Sequence, residues 1–201
     1  IEAINDFVVK FANVNGSGSA SANELFARSV LRMGVPASPR NIFPSNIQGL
    51  PTWYEVRVSE RGWLGRRGGV DLAVAMNPQT WEQDLAEIEP GGYLFYDCTK
   101  SLPASRFRDD INVIGVPLTE ICAAKYDSPR ERQLLKNIMI VGVLSALLGL
   151  EPVDHPLCVH PRPNDFQRHP PFDGLLLVGQ EYHTHAALTE LFDDLVVFKT
   201  L

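Results

Sequence analysis

"FVVKFANVNGSGSASANELFARSVLRMG", Phe7 to Gly34, is the stretch on which the reading of the fold turns. Phe7–Ala12 is apolar apart from Lys10 and reads as a buried strand. Asn13–Ser19 follows with Gly16 and Gly18 set among Asn and Ser, the composition of a tight turn. Leu25, Ser29 and Arg32 then alternate with Ala22, Phe26, Val30 and Met33 at helical spacing, which predicts a helix from Ala20 to Met33 that Gly34 ends. Strand, glycine loop, helix is the opening unit of an α/β domain.

The rest of the chain repeats the unit. Tyr54–Ser59 alternates with period two, and Val70–Met76 is nearly all apolar, as expected of a central parallel strand covered on both faces. Asn77-Pro78 stops that strand, and Thr80 is placed to cap a helix Trp81–Ile88. Tyr93–Tyr96 and Ile111–Val116 read as strands, and Pro129 sits where a first helical residue would open the long apolar helix that runs to Leu148. The expected fold class is therefore α/β, a Rossmann-like, mainly parallel sheet flanked by helices, with a short carboxyl-terminal appendage. Residues 1–151 form the α/β domain, and 152–201 form a Pro/His-rich linker followed by a small strand-helix-strand tail.

Composition removes several classes. The formal charge of -6 argues against a surface that tracks nucleic-acid phosphates. Ile138–Leu148 is too short to cross a bilayer and contains Gly142 and Ser145, so it reads as a buried helix and no membrane association is expected. No signal-peptide pattern is read at the amino end. The three cysteines, Cys98, Cys122 and Cys158, are widely spaced, which suits a reducing, cytoplasmic setting. They exclude a locally encoded iron-sulfur cluster, which needs about four thiolates in close runs.

The residues leave the chemistry open. Gly16-Ser17-Gly18-Ser19 lies between a strand and a helix, where free N–H groups and the helix dipole attract anions. The dinucleotide pattern is not met: Ser21 stands in place of a third glycine, and no acidic residue closes a following strand. A structural turn and a contact with an anionic or polar partner both fit the loop. His155, Cys158 and His160 have metal-ligand types, but in a proline-rich stretch they read as surface residues, and no metal is assigned. Asp97 at a strand end is equally a candidate site residue and a helix cap. No nucleophile, base and acid converge, so no catalytic residue is assigned.

Six segments, in order, carry a resemblance: "VNGSGSASANELFARSVLRMG", "FPSNIQGLPTWYEVRVS", "DLAVAMNPQT", "GGYLFYDCT", "GVPLTEI" and "LLKNIMIVGVLSALLGL". Together they resemble the γ domain of 2-oxoacid:ferredoxin oxidoreductases, in the form found at the amino end of the α subunit of 2-oxoglutarate-type enzymes. The resemblance implies an accessory domain of a larger enzyme, not catalytic by itself. In that family thiamine diphosphate and iron-sulfur clusters, held by other domains or subunits, carry out oxidative decarboxylation and pass electrons to ferredoxin, and coenzyme A takes the acyl group. The γ domain packs against the thiamine-binding parts and helps shape the entry for coenzyme A. The chain alone would hold no cofactor, and its partners would be the thiamine-binding and iron-sulfur subunits, with ferredoxin reached indirectly, in an oligomer.

By position, Gly16, Ser17, Gly18 and Ser19 correspond to the family's glycine-rich first turn, with serines where relatives have glycine and glutamine. Ser45, Asn46, Gln48 and Gly49 match a loop that relatives often write with Arg-Gly-Gly, so its basic character has become amide. That change favours neutral hydrogen bonding across an interface over a phosphate contact, and the amides together with Trp53 read as an interface surface. Asn77 is expected to face the same crevice. The alternative is a stand-alone α/β module that binds a nucleotide or an acyl-coenzyme A without catalysis. Pro152–Leu201 match nothing in the family pattern.

Overall fold

The computed structural model of the chain describes residues 5–44 and 47–148. The expected linker and tail over 152–201, with Cys158 and its neighbouring histidines, lie outside the described residues, as do Ser45 and Asn46.

Six strands form one sheet: β1 (Asp6–Val14), β2 (Ala37–Ile42), β3 (Pro51–Ser59), β4 (Val70–Ala75), β5 (Ile88–Asp97) and β6 (Asn112–Val116). Their spatial order is β2-β3-β1-β4-β5-β6. β1, β4, β5 and β6 run parallel, while β3 is antiparallel to both β1 and β2. The fold is α/β as expected, and the sheet is mixed. β2 and β3 are joined by 43–50, a connection shorter than a parallel crossover needs, which leaves an antiparallel pairing as the reachable one.

Helices cover both faces. α1 (Ser19–Arg32) and α4 (Pro129–Leu148) pack together, and α3 (Leu118–Lys125) lies against α4. Phe11 of β1 meets Phe26 of α1 edge to face, with ring centroids 5.5 Å apart. Val74 of β4 pairs in register with Phe11 and is fully buried. Its neighbours Ala73 and Ala75 point to the opposite face, as alternation requires, and there they pack with Trp81 and Leu85 of α2 (Trp81–Ala86). β4 is thus apolar on both sides because a helix lies on each, the arrangement its sequence predicts. Each large fully buried side chain of this core, such as Phe11, Phe26, Leu94 and Phe95, contributes roughly 1.5–3 kcal/mol.

β3 departs from simple alternation. Val56 and Val58 lie in the core, but Glu55 and Arg57 between them are equally buried, at 5% exposure each. Each has a partner of opposite charge: Arg57 pairs with Asp6, and Glu55 is 3.8 Å from Arg66 in the turn that follows β3. On the same face, buried Lys10 pairs with Glu87 and lies 5.2 Å from the centre of the Trp53 ring.

One strand and one α-helix among the described residues escaped the sequence reading. β2 contains Pro39, which is tolerated because β2 is the edge of the sheet and owes hydrogen bonds on one side only. α3 is announced by nothing in its own sequence except Pro117 before it; its amino end is satisfied from another element by Asp97.

Candidate functional site

The glycine loop is built by two left-handed residues. Gly16 has φ 85° and Gly18 has φ 75°, conformations that a side chain makes costly. The Ser17 N–H donates to Val14 O at 3.1 Å, closing the turn, and Gly18 becomes the residue before α1. Ser17 Oγ donates to Ser19 Oγ at 3.1 Å. No side chain caps α1 and no acidic residue stands in its first turn, so the dipole and the first N–H groups of the helix are left to whatever lies in front of them.

The two loops singled out in the sequence form one surface. The Asn15 N–H donates to Leu50 O at 2.9 Å, the Gly49 N–H donates back to Asn15 O at 3.0 Å, and Asn15 Nδ2 donates to Ile47 O at 3.2 Å. Gln48 lies against Gly16, so that a Cβ on Gly16 would stand 2.9 Å from Gln48 Cγ. α4 supports the loop from beneath. Its buried Asn137 donates from Nδ2 to Ser17 O at 3.0 Å, and Leu134 approaches Gly18 where a side chain would otherwise be.

Beside this surface opens a cleft of about 370 Å³ between the amino end of α1 and the β2–β3 hairpin. Gly16, Gly18 and Ser19 form one wall; Asn41, Thr52 and Tyr54 belong to the other, with Asn13 and Asn23 also lining it. No described residue that lines the cleft carries a charge at neutral pH. Burial pushes the Tyr54 phenol above its ordinary pKa, nearby Glu24 adds to the rise, and Arg28 opposes it. The phenol therefore stays protonated and available as a donor.

The other expected site residues fall elsewhere. Gln48 and Gly49 are exposed at the loop surface, with Ile47 and Leu50 flanking them and Phe43 exposed nearby in the sequence. Asn77 ends β4 as expected, but it does not line the cleft. It is 1% exposed, its Nδ2 donates to Asn13 O at 3.3 Å, and its Oδ1 accepts from the Gln79 N–H at 3.0 Å. Its amide is used in tying β4 to β1 and shaping the turn into α2. Trp53, expected on the surface, is buried: its indole Nε1 donates to Asp84 Oδ1 at 2.8 Å on the face of the sheet opposite α1. The strand alternates sides, so the Tyr54 ring and the Trp53 indole lie on opposite faces, although both residues contribute to the lining of the cleft. The exposed apolar side chains of this region are instead Phe43, Ile47 and Leu50.

Asp97 is a cap. Its carboxylate accepts from the Thr99 N–H at 3.1 Å, the Thr99 hydroxyl at 2.6 Å, the Thr119 N–H at 3.2 Å and the Thr119 hydroxyl, with Lys136 at 3.7 Å. Burial alone would raise its pKa, but the hydrogen bonds from Thr119 and Thr99 outweigh it and hold the carboxyl below its usual range. Among the described residues, no group of three or more His, Cys, Asp and Glu side chains is arranged to hold a metal ion.

Asn13, Asn23, Asn41 and Tyr54 were not singled out by the sequence reading. A signal was present for two of them: Asn13 interrupts an apolar strand at its carboxyl end, and Asn23 is a poor helix former one turn into α1, between Ala22 and Leu25–Phe26.

Comparison with known proteins gives a consistent picture. The family model described as pyruvate ferredoxin/flavodoxin oxidoreductase matches residues 8–157. Subunit alpha of the 2-oxoacid:ferredoxin oxidoreductase 2 of Aeropyrum pernix is 27% identical over 114 residues, which are 56% of this chain and 17% of the relative. Among solved structures, the 2-oxoglutarate:ferredoxin oxidoreductase of Magnetococcus marinus, with 2-oxoglutarate, coenzyme A and succinyl-CoA bound, matches at TM-score 0.63 and 24% identity, covering 73% of this chain and 25% of that one. The pyruvate oxidoreductase subunit PORC of Thermotoga maritima matches at 0.57 and 16% identity over 74% of this chain and 79% of that one. The gamma subunit of a keto/oxoacid ferredoxin oxidoreductase of Geobacter sulfurreducens matches at 0.54 and 19% identity, over 73% and 79%. The likenesses to solved structures establish a shared fold. The chain spans about a sixth of the length of the curated relative.

Proposed function

Because the chain belongs to the pyruvate ferredoxin/flavodoxin oxidoreductase family, we propose that it is the γ-type domain of a 2-oxoacid:ferredoxin oxidoreductase, with 2-oxoglutarate as the preferred 2-oxo acid. The observation that carries this reading is the convergence of the glycine loop, the Gln48-Gly49 turn and α4 into one surface around an uncharged cleft. Gly16, Ser17, Gly18 and Ser19 form the part that meets coenzyme A, and Gln48 and Gly49, continuous with Ser45 and Asn46, form the part that meets the partner subunit. Asn77 acts by holding the strand ends beneath them.

In this role the chain binds and positions, and it transfers no electron or proton. Decarboxylation and electron transfer belong to thiamine diphosphate and iron-sulfur clusters on partner subunits, which complete an oligomer in the cytoplasm. The free thiols of Cys98 and Cys122 suit that setting. The exposed Phe43, Ile47 and Leu50 supply the apolar centre that a subunit contact needs, with the amides as its rim.

The test is co-expression with thiamine-binding and iron-sulfur subunits, followed by affinity purification on a tag carried by this chain. Recovery of a stoichiometric complex that forms acyl-CoA with reduction of ferredoxin is the expected result. Recovery of this chain alone, with full activity in the complex that lacks it, sinks the proposal.

A further inference from the structure

The connection between β3 and β4, residues 60–69, carries a surface that the candidate site does not use. It lies at the other end of the sheet: Ser59, where β3 ends, pairs with Asp6 at the start of β1, whereas the glycine loop follows Val14 at the far end of that strand. The length of β1 puts roughly 25 Å between the two ends. Here Trp63 is 58% exposed and Leu64 beside it 53%. The chain's other two indoles, Trp53 and Trp81, are buried and each donates a hydrogen bond inside the domain.

The loop holds Trp63 in place. The Gly62 N–H donates to Ser59 O at 2.9 Å and the Trp63 N–H to Ser59 Oγ at 3.4 Å, which tie the residue to the end of β3. The Arg61 guanidinium lies 5.3 Å from the centre of the Trp63 ring and has no carboxylate partner among the described residues. Arg66 is well exposed and comes no closer than 3.8 Å to Glu55. Arg67 differs, because Asp71 takes it, with Asp6 and Glu89 adding to the negative field around it. One fixed loop therefore presents an indole and a leucine together with two arginine heads that no close ion pair occupies. A single exposed apolar residue is ordinary. Trp and Arg together are the residues that carry most interface energy, and a fixed presentation lowers the ordering cost of binding.

Charge selects the partner. Glu60 is the one acid of the loop against Arg61, Arg66 and Arg67, so a positive loop stands on a chain of formal charge -6. Its field is local, screened beyond about 8 Å at physiological salt and opposed by Asp6, Asp71 and Glu89 nearby. Nucleic acid and anionic bilayers are held by a basic face that neutralises many phosphates. Two arginine heads beside an apolar pair match a few carboxylates on a protein segment, where a charge-assisted hydrogen bond acts at close range.

We propose that the 60–69 loop is a docking surface for an acidic segment of a partner protein, whose carboxylates meet Arg61 and Arg66 while its apolar side chains cover Trp63 and Leu64. The proposal rests on this loop alone and stands or falls independently of the function proposed above.

Selection of a random dodecapeptide library on the immobilised full chain, with counter-selection on the Trp63→Ala chain, tests the assignment. The enriched peptides are expected to combine Asp or Glu with aromatic or aliphatic residues. Titrated with such a peptide, the parent chain should show a blue shift in tryptophan emission, because Trp63 is the exposed indole of the three. Trp63→Ala should weaken binding, measured by calorimetry, roughly tenfold or more. Arg61→Glu should weaken it as well, and raising the salt from about 50 to about 300 mM should do so in the parent but much less in Arg61→Glu. Both side chains are exposed, so thermal unfolding of the two variants should match the parent. Three results overturn the proposal: no enrichment over the Trp63→Ala chain, enriched peptides without acidic residues, or affinity unchanged in Arg61→Glu. Binding to phosphatidylglycerol vesicles, or self-association of the chain in ultracentrifugation, that Trp63→Ala abolishes would assign the loop to a membrane or to a second copy and so also overturn it.

Discussion

Gln48 lies over Gly16, close enough that a Cβ at position 16 would stand 2.9 Å from Gln48 Cγ. Through this contact two segments distant in the sequence become a single loop surface, with the Asn15–Leu50 and Gly49–Asn15 backbone bonds on either side.

Gly16→Ala should therefore destabilise the domain twice over. The residue has φ 85°, where an L side chain costs roughly 1–2 kcal/mol, and the added methyl meets Gln48. The double variant Gly16→Ala with Gln48→Ala should recover the second part and keep the first. Urea denaturation of the two single variants and the double variant gives the coupling, and strict additivity would mean that the contact has no energetic weight.

Gln48→Ala alone has a different expected outcome. The side chain is exposed and its backbone is held by neighbouring residues, so stability should change by less than about 0.5 kcal/mol. Affinity for the partner subunit should fall, as read by analytical ultracentrifugation of the mixed proteins. The double change Asn46→Ala with Gln48→Ala should lower it further. A loss of folding in place of a loss of assembly would make the loop structural.

Asn137→Leu removes the donor that α4 gives to Ser17 O at 3.0 Å in a buried position. The cost should be about 1–3 kcal/mol, because the Ser17 carbonyl is left facing apolar atoms. Hydrogen exchange should show the change concentrated at the start of α1. Uniform acceleration over the whole sheet would show that the bond does not anchor the loop.

Asp97 and Asp84 should give opposite pH dependences. Hydrogen bonds from Thr119 and Thr99 hold the native carboxyl of Asp97 below its unfolded value, so its contribution is complete above about pH 4 and is lost as the pH falls through the native pKa. Asp84 is raised, chiefly by burial, against the hydrogen bonds from Thr80 and Trp53 and the charge of Lys10, with Glu87 adding to the rise. The folded state then binds the extra proton, and stability falls as pH rises from about 4 through the raised value. Thermal unfolding against pH should thus show Asp97→Asn losing stability at neutral pH and less at acid pH. Asp84→Asn, which keeps an acceptor for the Trp53 indole, should gain relative to the parent as pH rises. Parallel curves for both variants would refute the assignment.

Much of the fold was legible before any coordinates. The apolar run Phe7–Ala12, the glycines at 16 and 18 and the helical spacing from Ala22 to Met33 each state a local preference, and local preferences survive folding when they agree with one another. The run Val70–Met76 announced a strand covered on both sides for the same reason. The ordered segments also carried the family, which composition did not. β2 was hidden because its proline contradicts a strand unless the strand is known to be an edge, and edge position belongs to the sheet.

The candidate site divides along the same line. Sequence marked both loops, because glycine and amide clusters are local turn chemistry, and it placed Asn77 correctly at a strand end. It did not decide which side of the sheet each residue faces: Trp53 was expected at the surface, and its indole is bonded to Asp84 in the interior. Only the tertiary structure set Gln48 against Gly16, gave Asn77 its internal partners and brought Asn13 and Asn23 into one concavity. The physical reason is that turns and periodicity are fixed by neighbours along the chain. Burial, hydrogen-bond satisfaction and the walls of a cleft are fixed by residues that only the sheet register and helix packing bring together.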